Sequence, residues 1–153
     1  MRSRVWLTLA AVAVGCSLGI ANAQDAGKTV IASPNAPAAI GPYSQAITVG
    51  KTVYLSGQIA IDPKTKQLMA EASIEDQTRR VLENLKAVLA ADGMTLDNVV
   101  STTVFVKDLN DFGKVNEVYA AFFTSAPPAR ATVEVARLPK DAKIEISAIA
   151  SRP

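Results

Sequence analysis

Two periodicities alternate along the chain and predict most of its elements. A period of two runs through AITVG (46–50) and TVYLSGQIAI (52–61), which read as a hairpin about a Gly50-Lys51 turn. Val53, Leu55, Ile59 and Ile61 are expected on one face of the second strand, with Tyr54, Ser56 and Gln58 on the other. After the turn DPKTKQ (62–67) the spacing becomes helical: Ile74, Thr78, Val81, Leu82, Leu85, Val88 and Leu89 fall on one stripe that ends at Gly93. Ser73, with Asp76 three residues later, forms a capping-box variant that opens this helix. NVVSTTVFVK (98–107) alternates again, placing Val100, Thr102, Val104 and Val106 together. A second helix from about Asp111 to Phe123 turns Phe112, Val115, Tyr119, Phe122 and Phe123 inward, with Asn116 on the same side. The strands ATVEVA (131–136) and KIEISAIA (143–150), joined by RLPKDA, complete the order.

The order is therefore hairpin, helix, strand, helix, two strands. Two helices are too few to line both faces of such a sheet, so the expected fold class is α+β, with both helices on one face. The other face is expected to carry Tyr54, Ser56, Gln58, Thr132, Glu134, Glu145 and Ser147. It is too polar for a core and suits a subunit interface that holds a small polar ligand.

The N-terminus changes the compartment. Arg2 and Arg4 precede an apolar run from Val5 to Ile20, followed by the small-x-small pattern Ala21-Asn22-Ala23. This reads as a secretory signal over 1–23, cleaved after Ala23, leaving one domain over 24–153 in the periplasm or outside the cell. A membrane anchor is disfavoured by the short run and its cleavage pattern. A lipoprotein signal at Cys16 is disfavoured by the residues before it, Ala13-Val14-Gly15.

Cleavage also changes the charge. Arg2 and Arg4 account for the excess of the 16 basic over the 14 acidic residues, so the remaining chain is balanced. A balanced chain disfavours a phosphate backbone as ligand. The single cysteine leaves with the signal, and the sequence has 0 histidines. Zinc sites, cysteine nucleophiles, disulfides and histidine triads are excluded together. Chemistry falls to Arg, Lys, Asp, Glu, Ser, Thr, Tyr and the backbone.

One cation is conspicuously placed. In PPARATVEV (127–135), Arg130 follows a rigid Pro-Pro-Ala turn and opens a strand. A guanidinium so held presents paired donors that match a carboxylate. The competing reading is an ion pair with Glu134 or another acid.

SPNAPAAIGPYSQA (33–46), YLSGQIAIDPKT, STTVFVKDLNDFGKVNEVY and PPARATVEVARLPKDAKIEISAIA together resemble the Rid family of enamine/imine deaminases, the RidA type formerly called YjgF. The resemblance runs from about Val30 to Arg152. It implies a chorismate-mutase-like α+β subunit with a mixed sheet, assembled as a homotrimer with a ligand cleft at each interface. It also implies hydrolysis of 2-imino acids, formed from enamines such as 2-aminoacrylate, to 2-oxo acids and ammonia, with no metal or organic cofactor.

Motif by motif, the family's carboxylate-binding arginine falls on Arg130 and its acid in I-E-I on Glu145. Its substrate-binding positions fall on Tyr43 in G-P-Y, Ser56 and Gly57 in S-G-Q, the helix residue Asn116, and Thr132. Thr132 stands where the family often has cysteine, and Ser147 where it often has a second glutamate. The loop from Phe123 to Arg130 is also shorter than in some members. On the semi-polar face Glu145 is expected to gain a raised pKa and pass protons to and from water, unless it pairs with Lys143 or Lys140. Tyr43 and Ser56 are open to purely structural roles, as is Asn116. A non-catalytic carboxylate-binding or chaperone-like trimer, and a ribonuclease or translation inhibitor, are the rival functions.

Export is directly checkable. N-terminal sequencing of the exported protein is expected to begin at Gln24. Full-length chain in the cytosol, or lipid on Cys16, would overturn the signal.

Overall fold

The structure is a computed structural model that describes residues 27–153; the signal expected over 1–23, with Cys16 and the expected cleavage position, lies outside them. Its strands are β1 (Thr29–Ile31), β2 (Ala46–Val49), β3 (Thr52–Ile59), β4 (Val99–Val106), β5 (Ala129–Glu134) and β6 (Ile144–Ser151). Two α-helices, α1 (Ile74–Ala90) and α2 (Phe112–Phe122), complete it. The strands form one sheet in the order β1-β2-β3-β6-β4-β5. Only β4 and β5 pair in parallel, with α2 as their crossover; every other pair is antiparallel. The α+β class and the two helices on one face are as expected, while β1 is an addition.

The long helix forms where its stripe predicts. Ser73 caps it by accepting from the Asp76 amide at 3.1 Å. Val81, Leu82, Leu85, Val88 and Leu89 are almost fully buried against Val53, Val104, Ile144 and Ile146 of the sheet. Each such aliphatic side chain contributes on the order of 1.5–3 kcal/mol through removal from water.

Three features of register overturn the expected faces. A bulge in β3 between Leu55 and Gln58 switches the side-chain parity. Gln58 therefore pairs with buried Ile146 and joins the helix side, while Ile59 pairs with Glu145 on the open side. A second irregularity, between Val99 and Ser101, buries Val99 and leaves Val100 exposed. In β5 the parallel register sets Arg130, Thr132 and Glu134 beside Thr102, Val104 and Val106. Thr132 and Glu134 thus lie on the helix side, not on the open face, which receives Ala129, Ala131 and Val133. Phe112, expected inward, is exposed at the first turn of α2.

Buried amides tie the layers together. Gln77, fully buried on α1, donates to the Met69 carbonyl at 2.9 Å and accepts from the Lys143 amide at 3.1 Å. Asn84, about two turns along, donates to the Ile59 and Ile61 carbonyls. These bonds hold the end of β3, the turn after it and the start of β6 against one helix. Gln77→Ala strands the Lys143 amide and is expected to destabilise the protein by about 3 kcal/mol, measured by urea unfolding. An effect as small as that of exposed Glu117→Ala would contradict this linking role.

Candidate active site

Gln45 organises the segment before the hairpin. Its side-chain oxygen accepts from the Ser33 amide at 2.6 Å, and its nitrogen donates to the Pro37 carbonyl at 2.7 Å and the Ser33 carbonyl at 3.2 Å. A proline-punctuated stretch has no ladder of its own to satisfy its carbonyls, so this amide supplies the partners. The segment is thereby shaped into one wall of a cavity of about 370 Å³. Tyr43, Ser56, Gly57 and Glu145 all line it, with Ile40, Ile59, Ile61 and Pro139 as its apolar surfaces.

Tyr43 and Ser56 are each tied to a backbone group. The Tyr43 hydroxyl accepts from the Ile40 amide at 3.2 Å, and its ring is about half exposed at 47%. The Ser56 hydroxyl donates to the Ser44 carbonyl at 2.7 Å, so its oxygen keeps its lone pairs toward the cavity. Gly57 lies at the bulge directly under the Glu145 side chain. A Cβ at this position would stand only 2.8 Å from the Glu145 Cδ, closer than atoms pack. Glycine therefore lets the carboxyl rest on the strand, where a larger residue would push the flexible end of the Glu145 side chain aside.

Glu145 pairs with neither Lys143 nor Lys140. Among the described residues it takes part in no ion pair, and the Lys143 ammonium donates instead to the Ala72 carbonyl at 2.7 Å. Half-buried against Gly57, its carboxyl is pushed above the ordinary glutamate range by desolvation. It is a group that holds a proton more readily than a free glutamate, placed in a cavity.

Arg130 lies elsewhere. Its guanidinium donates from Nη2 to Asn116 Oδ1 at 2.8 Å and sits 4.6 Å above the Tyr119 ring. The expected alternative, an ion pair with Glu134, is absent: that carboxylate accepts from the Leu109 amide at 2.8 Å. A second cavity of about 450 Å³ runs from Arg130 and Asn116 along Tyr119, Phe123, Pro127 and Pro128. Half-buried Thr132 follows two residues on along β5, on the same face as Arg130.

Six of the seven residues thus form two groups, and Thr132 lines neither cavity. Tyr43, Ser56, Gly57 and Glu145 share the first cavity, and Arg130 shares the second with Asn116. Strand β4 separates β6 from β5, and the Glu145 and Arg130 side chains leave opposite faces of the sheet. One chain by itself does not set the arginine beside the glutamate. The sequence reasoning missed Gln45 and the Tyr119 platform; the G-P-Y-S-Q run and the aromatic spacing on α2 were their only traces.

A model of the Endoribonuclease L-PSP family matches residues 33–152. A curated relative from Salmonella typhimurium, named 2-iminobutanoate/2-iminopropanoate deaminase, is 57% identical over 125 residues, covering 80% of this chain and 96% of that one. Among solved structures, the YjgF gene product of Escherichia coli superimposes with a TM-score of 0.78 at 53% identity, covering 82% of this chain and 99% of the other. Escherichia coli TdcF with bound serine does so with a TM-score of 0.78 at 46% identity, covering 82% and 99%.

The state of Glu145 is testable through stability. Its raised pKa means that the neutral carboxyl's contribution is fully present below the unfolded value of about 4.3 and is lost as pH rises through the folded value. Glu145→Gln is expected to raise the melting temperature at pH 7 and to leave it unchanged at pH 4 or below, about where the unfolded carboxyl titrates. A melting temperature lowered at pH 7 would mean that the ionised carboxylate is held by a favourable partner.

Proposed function

The chain belongs to the Endoribonuclease L-PSP family, and from that premise we propose that it is a hydrolytic deaminase of 2-imino acids, working as a homotrimer with a site between subunits. The observation that carries this reading is the separation of Arg130 from Glu145 onto opposite faces of one sheet, each lining an open cavity. Apposing the two faces from neighbouring copies brings a cation and a proton carrier to one cleft. The deaminase named in Salmonella typhimurium and the serine bound by TdcF support a small carboxylate ligand for this chain.

The chemistry follows from the two groups. Arg130 takes the carboxylate of the imino acid through paired N–H donors, which fixes C2 of the C=N bond. The Glu145 carboxylate and backbone carbonyls near Thr132 orient a water. As the water oxygen bonds to C2, one of its protons passes to Glu145 and the C=N π pair moves onto nitrogen, to which Glu145 then delivers that proton, giving a carbinolamine and restoring the carboxylate. Glu145 next takes the C2–OH proton as that oxygen becomes a carbonyl and passes it to the departing nitrogen, which leaves as ammonia. Tyr43 and Ser56 line the ligand, and Asn116 holds Arg130. Most of the acceleration comes from positioning, because an imine already reacts with water unaided. The charged pair, apolar run and Ala21-Asn22-Ala23 pattern of residues 1–23 support a further part of this reading, that the activity is exported to the periplasm or outside the cell.

The family's name favours a second reading, an endoribonuclease. A chain with 0 histidines, no basic run and balanced charge beyond Ala23 lacks the phosphate-neutralising surface such a ligand needs. A binding trimer without turnover is the remaining alternative.

Arg130→Lys is expected to fail nearly as badly as Arg130→Ala, because an ammonium cannot reproduce the two-point contact. Losing that contact costs about 3 kcal/mol or more in transition-state binding, a rate loss on the order of a hundredfold, with the oligomer intact. Glu145→Gln is expected to lower turnover while keeping affinity for 2-oxobutanoate. Unchanged hydrolysis of freshly generated imino acids in Arg130→Ala would defeat the proposal, and cleavage of RNA by the wild-type protein alone would support the ribonuclease.

A further inference from the structure

Arg130 stands on β5, the strand at the sheet edge, where nearly every residue is exposed. A long side chain there ordinarily samples many rotamers, and fixing it has an entropic cost that substrate binding must offset. Its guanidinium is nonetheless held from one side by a single helix. Phe112, Asn116 and Tyr119 of α2 recur at positions i, i+4 and i+7, one stripe of the helix surface. Asn116 accepts from Nη2 at 2.8 Å, and the guanidinium carbon lies 4.6 Å from the Tyr119 ring centroid and 5.8 Å from that of Phe112.

The nearer ring is itself immobilised. Tyr119 is only 5% exposed, its ring packs 4.5 Å from that of Phe123, and its hydroxyl bonds to the Thr102 hydroxyl at 2.7 Å. Thr102 is in turn the residue paired with Arg130 across the parallel β4–β5 register. Strand, phenol and guanidinium therefore form a closed triangle: the strand neighbour of the arginine anchors the ring on which the arginine rests.

We propose that Tyr119 is a positioning residue for carboxylate recognition, its fixed ring face setting the plane of the Arg130 guanidinium while leaving the charge unneutralised. This rests on the deaminase reading above and adds to it the reason that the arginine is ready without a carboxylate partner. An aspartate or glutamate in the same place would orient Arg130 equally well, but it would occupy the paired donors and compete with the ligand. An aromatic face attracts the cation through its quadrupole and consumes no N–H, and Asn116 consumes one of five. Burial raises the phenol pKa, against smaller lowering contributions from the Thr102 bond and the Arg130 charge, so the ring is uncharged at neutral pH.

The test replaces Tyr119 by phenylalanine and by a trifluorinated phenylalanine of nearly the same shape. Fluorination drains the ring face of negative charge but leaves packing in place, so a merely structural role is insensitive to it. Tyr119→Phe is expected to weaken 2-oxobutanoate binding by about twofold, and the fluorinated ring by about tenfold more, by calorimetry. KM is expected to rise in step while kcat changes by less than about twofold, because Glu145 and its water are untouched. Equal affinity in the phenylalanine and fluorinated proteins, with affinity lost in Arg130→Ala, overturns the platform and spares the deaminase reading. Affinity and hydrolysis both retained in Arg130→Ala overturn the two together.

Discussion

The contact on which the site depends is the packing of the Glu145 carboxyl onto Gly57, where any Cβ would collide with it. That contact exists because β3 bulges between Leu55 and Gln58. The bulge brings a residue without a side chain under the glutamate and turns Ile59 to the same face, where it forms part of the cavity wall. It also sends Gln58 into the helix side. The burial that results raises the pKa of the carboxyl, so an irregularity of one strand becomes a property of one proton.

At the far edge of the sheet the constraint is different. The parallel pairing of β5 with β4 turns Arg130 toward α2 and away from Glu145. A guanidinium and a carboxyl free to meet in one chain would form an ion pair, and each would lose the property that makes it useful: the arginine its open donors, the glutamate its raised pKa. Keeping them on opposite faces preserves both for the proposed union with a second subunit and a ligand. The exposed apolar residues of the open face, Tyr54, Val133 and Ile149, are what a neighbouring copy would cover.

Legibility in the sequence followed the range of the interaction. Helix α1 was legible because its stripe and Ser73 cap are local, and the helix begins at Ile74 as they require. Arg130, Glu145, Tyr43, Ser56 and Gly57 were legible through short motifs, and the structure places the last four around one cavity. What failed was the facing of residues after a change of register: Gln58 and Ile59 beyond the β3 bulge, Val100 beside the β4 irregularity, and Thr132 and Glu134 in β5. Alternation predicts that neighbours oppose each other, but only the pairing partner determines which face is which. The hold of Tyr119 on Arg130 was hidden for the same reason, since it joins a helix to a strand through Thr102 of a third element.

The central claim, that the arginine and the glutamate of one site come from different subunits, is tested most directly by mixing two inactive proteins. Arg130→Ala and Glu145→Gln chains, unfolded together in equal amounts and refolded, form trimers in which some interfaces unite an intact Arg130 with an intact Glu145. Random assembly gives about a quarter of the interfaces this composition, so about a quarter of the wild-type imine hydrolysis should return. No activity beyond that of the separate mutants, with mixed trimers verified by mass, would contradict a shared site.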